Sequence, residues 1–142
     1  MIACTKSKRD YPCKASEIYS ASDLFSKAYS YAVKNYDFVV ILSAKYGLLF
    51  LDDKIEPYEL TLNNMDASQR KKWAEKVFNQ MECRLGLEEF DRVFFHAGKK
   101  YREELIRKLE NIGVKCETPL RHLGIGKQKA WYKEHDCCKH TK

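Results

Sequence analysis

Apolar and polar positions along the chain fall into blocks whose period switches between that of a strand and that of a helix. Met1 to Cys4 is short and apolar and reads as a strand. Between Asp23 and Lys34, Leu24, Phe25, Ala28, Tyr29, Ala32 and Val33 form a helical stripe behind Ser22, whose hydroxyl suits a helix start because it can accept a free backbone N–H. Phe38 to Leu42 is an unbroken apolar run, the pattern of a strand buried on both faces. Asp66 and Gln69 make a capping signature ahead of Trp73, Val77, Phe78 and Met81, which predict a helix to Leu85. Arg92 to His96 reads as a strand, and Tyr101, Leu105, Leu109 and Ile112 share one face of a helix that ends at Gly113. Val114 to Glu117 is a weaker strand, and Gly126 to His135 a last helix with Trp131 on its buried side. Strands separated by helices predict one three-layer α/β domain over residues 1–142, with a parallel or mixed sheet and helices on both faces. Residues 135–142 read as a flexible tail.

The stretch from Ser43 to Leu62 reads as one loop at the carboxyl end of a parallel strand, the edge where α/β folds place ligands. It carries Ser43, Tyr46, Gly47, Asp53, Glu56 and Tyr58, and Tyr46, Leu48, Leu49, Ile55 and Tyr58 are expected to fold it onto the body and fix its acids. Two further strand ends point to the same edge. After the first strand, Thr5, Lys6 and Ser7 offer hydroxyl, ammonium and amide groups. After the third, His96 is followed by Gly98, Tyr101 and Arg102, where a glycine lets an anion approach a helix start. The glycine spacing of a Walker loop or a dinucleotide fingerprint is absent from both.

Size and composition narrow the class. A chain of 142 residues with 44% hydrophobic positions can build one real core. No apolar run approaches the roughly 20 residues of a membrane span, and no secretory leader is evident, so a cytoplasmic setting without membrane partners is expected. In that setting the six cysteines are expected as reduced thiols, with Cys4 and Cys83 buried. His135, Cys137, Cys138 and His140 have ligand chemistry but not the spacing of a structural zinc site, so no metal or other cofactor is expected. The net charge of +6 gathers in two clusters, Lys6, Lys8, Arg9 and Lys14 near the start and Lys127, Lys129, Lys133, Lys139 and Lys142 at the end. Brought together, they would make a basic face for phosphate backbones; kept apart, they need serve only solubility.

The opening Ala-Cys-Thr-Lys-Ser-Lys8, the run Ile41 to Leu49, Ile55-Glu-Pro-Tyr58 and His96-Ala-Gly-Lys-Lys-Tyr101 resemble the small relatives of the YaaA peroxide-stress proteins. In that family a Leu-Ser-Gly-x-Tyr-Gly-Leu-Leu motif precedes an Asp and a Pro-Tyr pair. Here Ser43, Tyr46, Gly47, Leu48, Leu49, Asp53, Pro57 and Tyr58 match. Ala44 replaces the glycine, and Glu59 and Thr61 stand where arginine and glutamate are expected. The resemblance implies DNA or another nucleic acid as partner, and a likeness to glycosylases that act on modified bases in DNA repair or phage defence.

The residues offer the parts of such a reaction. Breaking an N-glycosidic bond builds positive charge on the sugar, which calls for a carboxylate, and Asp53 and Glu56 are three apart in the loop. Tyr46, Tyr58 or His96 can supply the leaving base with a proton or hydrogen bond. Each also has an ordinary explanation: solvated acids paired with Lys45 or Lys54, a loop-anchoring Tyr58, a satisfied core His96. Three readings therefore stay open: an N-glycosidic enzyme, a nucleic-acid-binding module without chemistry, and a sensor of a nucleotide-like small molecule.

Overall fold

In the computed structural model, which describes residues 1–5 and 8–137 (the last two by backbone alone), the chain runs β1 (Ile2–Ala3), β2 (Cys13–Lys14), α1 (Ala15–Ile18), α2 (Asp23–Asn35), β3 (Val40–Ser43), β4 (Gly47–Phe50) and β5 (Lys54–Ile55). It continues through α3 (Ala67–Arg84), β6 (Arg92–Phe94), α4 (Lys99–Asn111), β7 (Lys115–Glu117) and α5 (Ile125–Cys137). β1 is the middle of the sheet although it is only two residues long. It pairs in parallel with β3, Ile2 against Ile41 and Ala3 against Leu42, and a parallel bridge from Ile2 to His96 ties it to the end of β6. The sheet order is thus β7-β6-β1-β3-β4, with β4 antiparallel to β3 and the other pairings parallel.

Helices cover both faces. α2 packs with α5 on one side and α3 with α4 on the other, so all four residues of β3 are buried; the strand starts at Val40 rather than Phe38, which is 50% exposed ahead of it, and extends to Ser43. The predicted helix signals act as expected. Ser22 accepts from the Phe25 N–H (3.2 Å) at the start of α2. Asp66 and Gln69 close a reciprocal capping box on α3, with bonds of 2.8 and 3.0 Å. Gly113, at φ +88°, follows the end of α4.

The segment from Ser43 to Leu62 is not one loop. Gly47 takes φ +77°, the chain reverses, and Leu48 and Leu49 return beside β3 as a hairpin strand. Gln80 of α3 clamps this turn, accepting from the Leu48 N–H at 2.8 Å and donating to the Tyr46 carbonyl at 3.1 Å. Beyond it, β5 pairs antiparallel with β2 in a small separate ribbon. Leu48, Leu49 and Ile55 are buried, as expected, but by strand pairing.

Other expectations need correction. Val33 and Ile112, at the margins of their apolar stripes, are 44% and 51% exposed. Tyr132 is the deeply buried aromatic of α5, whereas Trp131 is half-buried against Tyr31. Cys83 is exposed; Cys4, Cys13, Cys83 and Cys116 are free thiols. The expected tail is helical through Cys137, because His135 stacks on Trp131 with ring centroids 3.6 Å apart and donates Nδ1–H to its carbonyl at 2.8 Å. Cys138 and His140 lie outside the described residues. Among the described residues no helix is long and apolar enough to cross a membrane.

Candidate site at the carboxyl edge of the sheet

From β1 the chain passes through α2 to β3 on one side; it later enters β6 on the other side of β1 and moves outward through α4 to β7. The strand order therefore reverses at β1. In open α/β sheets the crevice outside the carboxyl ends at such a reversal is where ligands bind. The groups there are Cys4 and Thr5 after β1, Ser43 at the end of β3, and the start of α4 at Gly98.

Hydroxyls converge on this point. Tyr58 OH lies 2.7 Å from Ser43 Oγ and 2.5 Å from Tyr19 OH, and Ser43 Oγ also accepts the Tyr46 N–H at 3.0 Å. Trp73 Nε1 donates to the Ser43 carbonyl at 2.9 Å, which fixes α3 against the strand end. Cys4 Sγ is 3.3 Å from Tyr101 OH, and the Tyr101 ring stands perpendicular to Trp73 at 5.6 Å. Lys8 Nζ sits 4.4 Å from the Tyr58 ring centroid, a cation–π distance. Burial pushes Tyr19, Tyr58 and Tyr101 well above the ordinary tyrosine range. All three are therefore protonated at neutral pH. Lys8 moves the other way, lowered by burial while Cys4 and Glu59 oppose the shift.

Of the residues anticipated from sequence, Thr5, Ser43, Tyr46, Tyr58 and Tyr101 come to this edge, with Gly47 in the adjoining turn. Gly98 caps α4 in open space. Arg102 is spent locally, donating to the Ala97 carbonyl at 2.8 Å. Lys6 and Ser7 lie outside the described residues.

The expected carboxylate pair does not form. β4 runs back along β3, Phe50 opposite Val40, so Asp53 lies at the far end of the sheet. There it accepts the Phe50 N–H at 2.9 Å and both prongs of Arg84 at 3.1 and 3.3 Å. Burial would raise its pKa, but Arg84 and the Phe50 amide outweigh burial and hold the carboxyl below its usual range. Extended residues separate Asp53 from Glu56 by about 10 Å of chain. Glu56 is on the hydroxyl side and exposed, its N–H donating to Tyr46 OH at 3.3 Å.

His96 is also displaced from the site. It stands level with Ile2, about 7 Å short of Cys4 along the strand direction. Its ring lies between α2 and α5, with Nε2 2.7 Å from Tyr36 OH and Nδ1 2.7 Å from Tyr132 OH. Burial lowers its pKa to about 4, so it is a neutral, fully partnered core histidine.

Sequence reasoning missed Tyr19 and Trp73. Tyr19 follows a polar stretch with no period to mark it as inward-facing. The signal for Trp73 was its indole N–H, which once buried on a helix must find an acceptor.

Two clefts open at the opposite, amino-terminal edge. One of about 840 Å³ is walled by Glu82, Glu88, Asp91, Arg92 and Lys115, and one of about 250 Å³ by Tyr36, Phe38, Phe90 and Phe94. None of the described site residues lines either, and the converging protonated donors beside a cation put the candidate site at the carboxyl edge instead. Among the described residues no group of three or more His, Cys, Asp or Glu could hold a metal ion.

Fold and site together define an α/β protein with a donor-rich site at a strand-order reversal. The sequence matches a family of unknown function, DUF6884, over residues 1–134, and the chain belongs to that family. No curated protein and no solved structure matches it.

Proposed function

We propose that this protein acts on nucleic acid in the cytoplasm, releasing a modified base by cleaving its N-glycosidic bond at the carboxyl-edge site. The observation that carries the reading is the hydroxyl cluster in which half-buried Tyr58 joins buried Ser43 and Tyr19, protonated and beside Lys8 at the strand-order reversal. The C–N bond breaks as water adds to the anomeric carbon; the base leaves with the bonding electron pair and accepts a hydrogen bond from Tyr58 OH, which keeps its proton, while the proton shed by the water passes through Glu56 and solvent to the departed base. Ser43 and Tyr19 keep the phenol oriented. Glu56, on the same side, is the carboxylate that faces the growing charge on the sugar. Lys8 and the amides at the start of α4 hold flanking phosphates. The kinship to YaaA-like proteins implied by the Ser43–Leu49 and Ile55–Tyr58 motifs points the same way.

A second reading, binding without chemistry, is favoured by the engagement of Asp53 with Arg84 and the exposure of Glu56. DNA carrying a panel of modified bases, incubated with the protein and read by mass spectrometry for free base, separates the two. Under the enzymatic reading Tyr58→Phe and Glu56→Gln each cut base release at least about 100-fold while DNA binding stays. Binding with no base released from any member of the panel leaves only the second reading.

A further inference from the structure

We infer that Tyr11, held by Arg9, is a stacking platform for an unpaired base, so that the nucleic acid taken by the proposed site is single-stranded or locally opened; this rests on the nucleic-acid reading above. Tyr11 is 47% exposed, and an exposed aromatic side chain is ordinarily free to rotate. Here it is tethered. An Arg9 terminal N–H donates to Tyr11 OH, and the guanidinium carbon lies 5.7 Å from the ring centroid. Arg9 is itself fixed at three points: its backbone N–H on the Ile18 carbonyl at 2.8 Å, and its Nε on the Glu17 carbonyl at 3.1 Å and Ser20 Oγ at 2.9 Å. With the phenol oxygen engaged, what Tyr11 presents to solvent is its ring.

The position of this ring gives it a use. Residues 17 to 20 hold Arg9 and Tyr11 on the outside and carry Tyr19 into the hydroxyl cluster on the inside. Lys8, three residues before Tyr11, lies against Tyr58. On the same turn Lys129 of α5 pairs with Asp23 at 3.5 Å, so one cation from each basic cluster is anchored on the Ser20–Asp23 segment. A pre-oriented ring amid cations matches a strand whose bases are open: a π-face stacks on any base, but a duplex base has both faces covered by its neighbours. A base extruded into the hydroxyl cluster leaves its neighbour with one face bare, and Tyr11 is placed to cover it.

The test uses the full chain and fluorescence anisotropy with a labelled short oligothymidylate and a duplex of equal length, across a salt series. Wild type is expected to prefer the single strand. Tyr11→Ala should weaken single-strand binding roughly tenfold, leave duplex binding alone, and leave the slope of log affinity against log salt unchanged, because no phosphate contact is lost. Tyr11→Phe, which keeps the ring but not its tether, should fall between. The unfolding midpoint of each variant checks that the fold is intact. If wild type binds and Tyr11→Ala binds the single strand equally well, or loses single strand and duplex alike, the platform is wrong while the nucleic-acid reading stands. If wild type binds neither probe, that reading falls and takes this inference with it.

Discussion

Acid should destabilise this protein through His96. In the folded chain the imidazole is sealed between Tyr36 and Tyr132, one phenol donating to the bare ring nitrogen and the other accepting from the ring N–H. That arrangement needs the neutral ring, and burial lowers the pKa from 6.5 to about 4. Between those values the unfolded chain binds a proton that the folded chain refuses. Stability from this group is therefore fully present above pH 6.5, is lost as pH falls toward 4, and is constant below that. At about 1.4 kcal/mol per tenfold change in proton affinity, the loss is about 3 kcal/mol. For a chain of this size that is roughly 10 °C in midpoint, a large part of a stability of order 5–15 kcal/mol. Urea unfolding of wild type and His96→Gln at pH 7, 6, 5 and 4 measures it, because carboxylates titrate alike in both and cancel in the difference. At pH 7 the variant should be the weaker by about 1–3 kcal/mol, having lost a buried hydrogen bond. By pH 4 the gap should have moved by about 3 kcal/mol in favour of the variant. A gap that stays constant with pH would refute the burial argument.

Gly47→Ala should cost about 2–3 kcal/mol in chemical denaturation, since a side chain is strained at φ +77° and its Cβ would overlap Gln80 Oε1. Asp53→Asn should leave base release and DNA binding unchanged and lower stability at pH 7 by about 1 kcal/mol, because its Arg84 partner is half-exposed. Asp53 is held below its usual pKa, so its contribution is present above pH 3.8 and lost as pH falls through the lower folded value; the wild-type advantage over Asp53→Asn should therefore vanish in strong acid.

Periodicity and capping carried most of the fold. The stripe on α2, the Asp66–Gln69 box and the unbroken run of β3 are local signals, and local hydrogen bonding decides them. The β3–β4 hairpin was harder to see, because Gly-Leu-Leu-Phe is too short and too uniformly apolar to show a period of two, and its turn depends on a glutamine 33 residues beyond Gly47. Reading that segment as a loop put Asp53 beside Glu56; pairing it as a strand carried Asp53 to the other end of the sheet. The hydroxyl residues survived the same correction, since Ser43, Tyr46 and Tyr58 lie at the end of β3 whether the chain between loops or pairs.

The separation of Asp53 from the hydroxyls bears on what chemistry the edge favours. Tyr19, Tyr58 and Tyr101 are all driven toward the protonated form by burial, so adding negative charge among them is opposed unless a cation offsets it. Lys8 is that cation, and burial weakens its own hold on a proton. Under the proposed reading, a departing base that gains electrons here meets protonated hydroxyl donors, with the half-buried Lys8 ammonium beside them to offset the charge. Under the same reading, positive charge building on the sugar faces outward, on the side where the Glu56 N–H bonds Tyr46 OH. Under the proposed reading, a bond broken at this edge is polarised with electrons toward Tyr58 and Lys8 and positive charge away from them, the polarity that glycosidic cleavage requires.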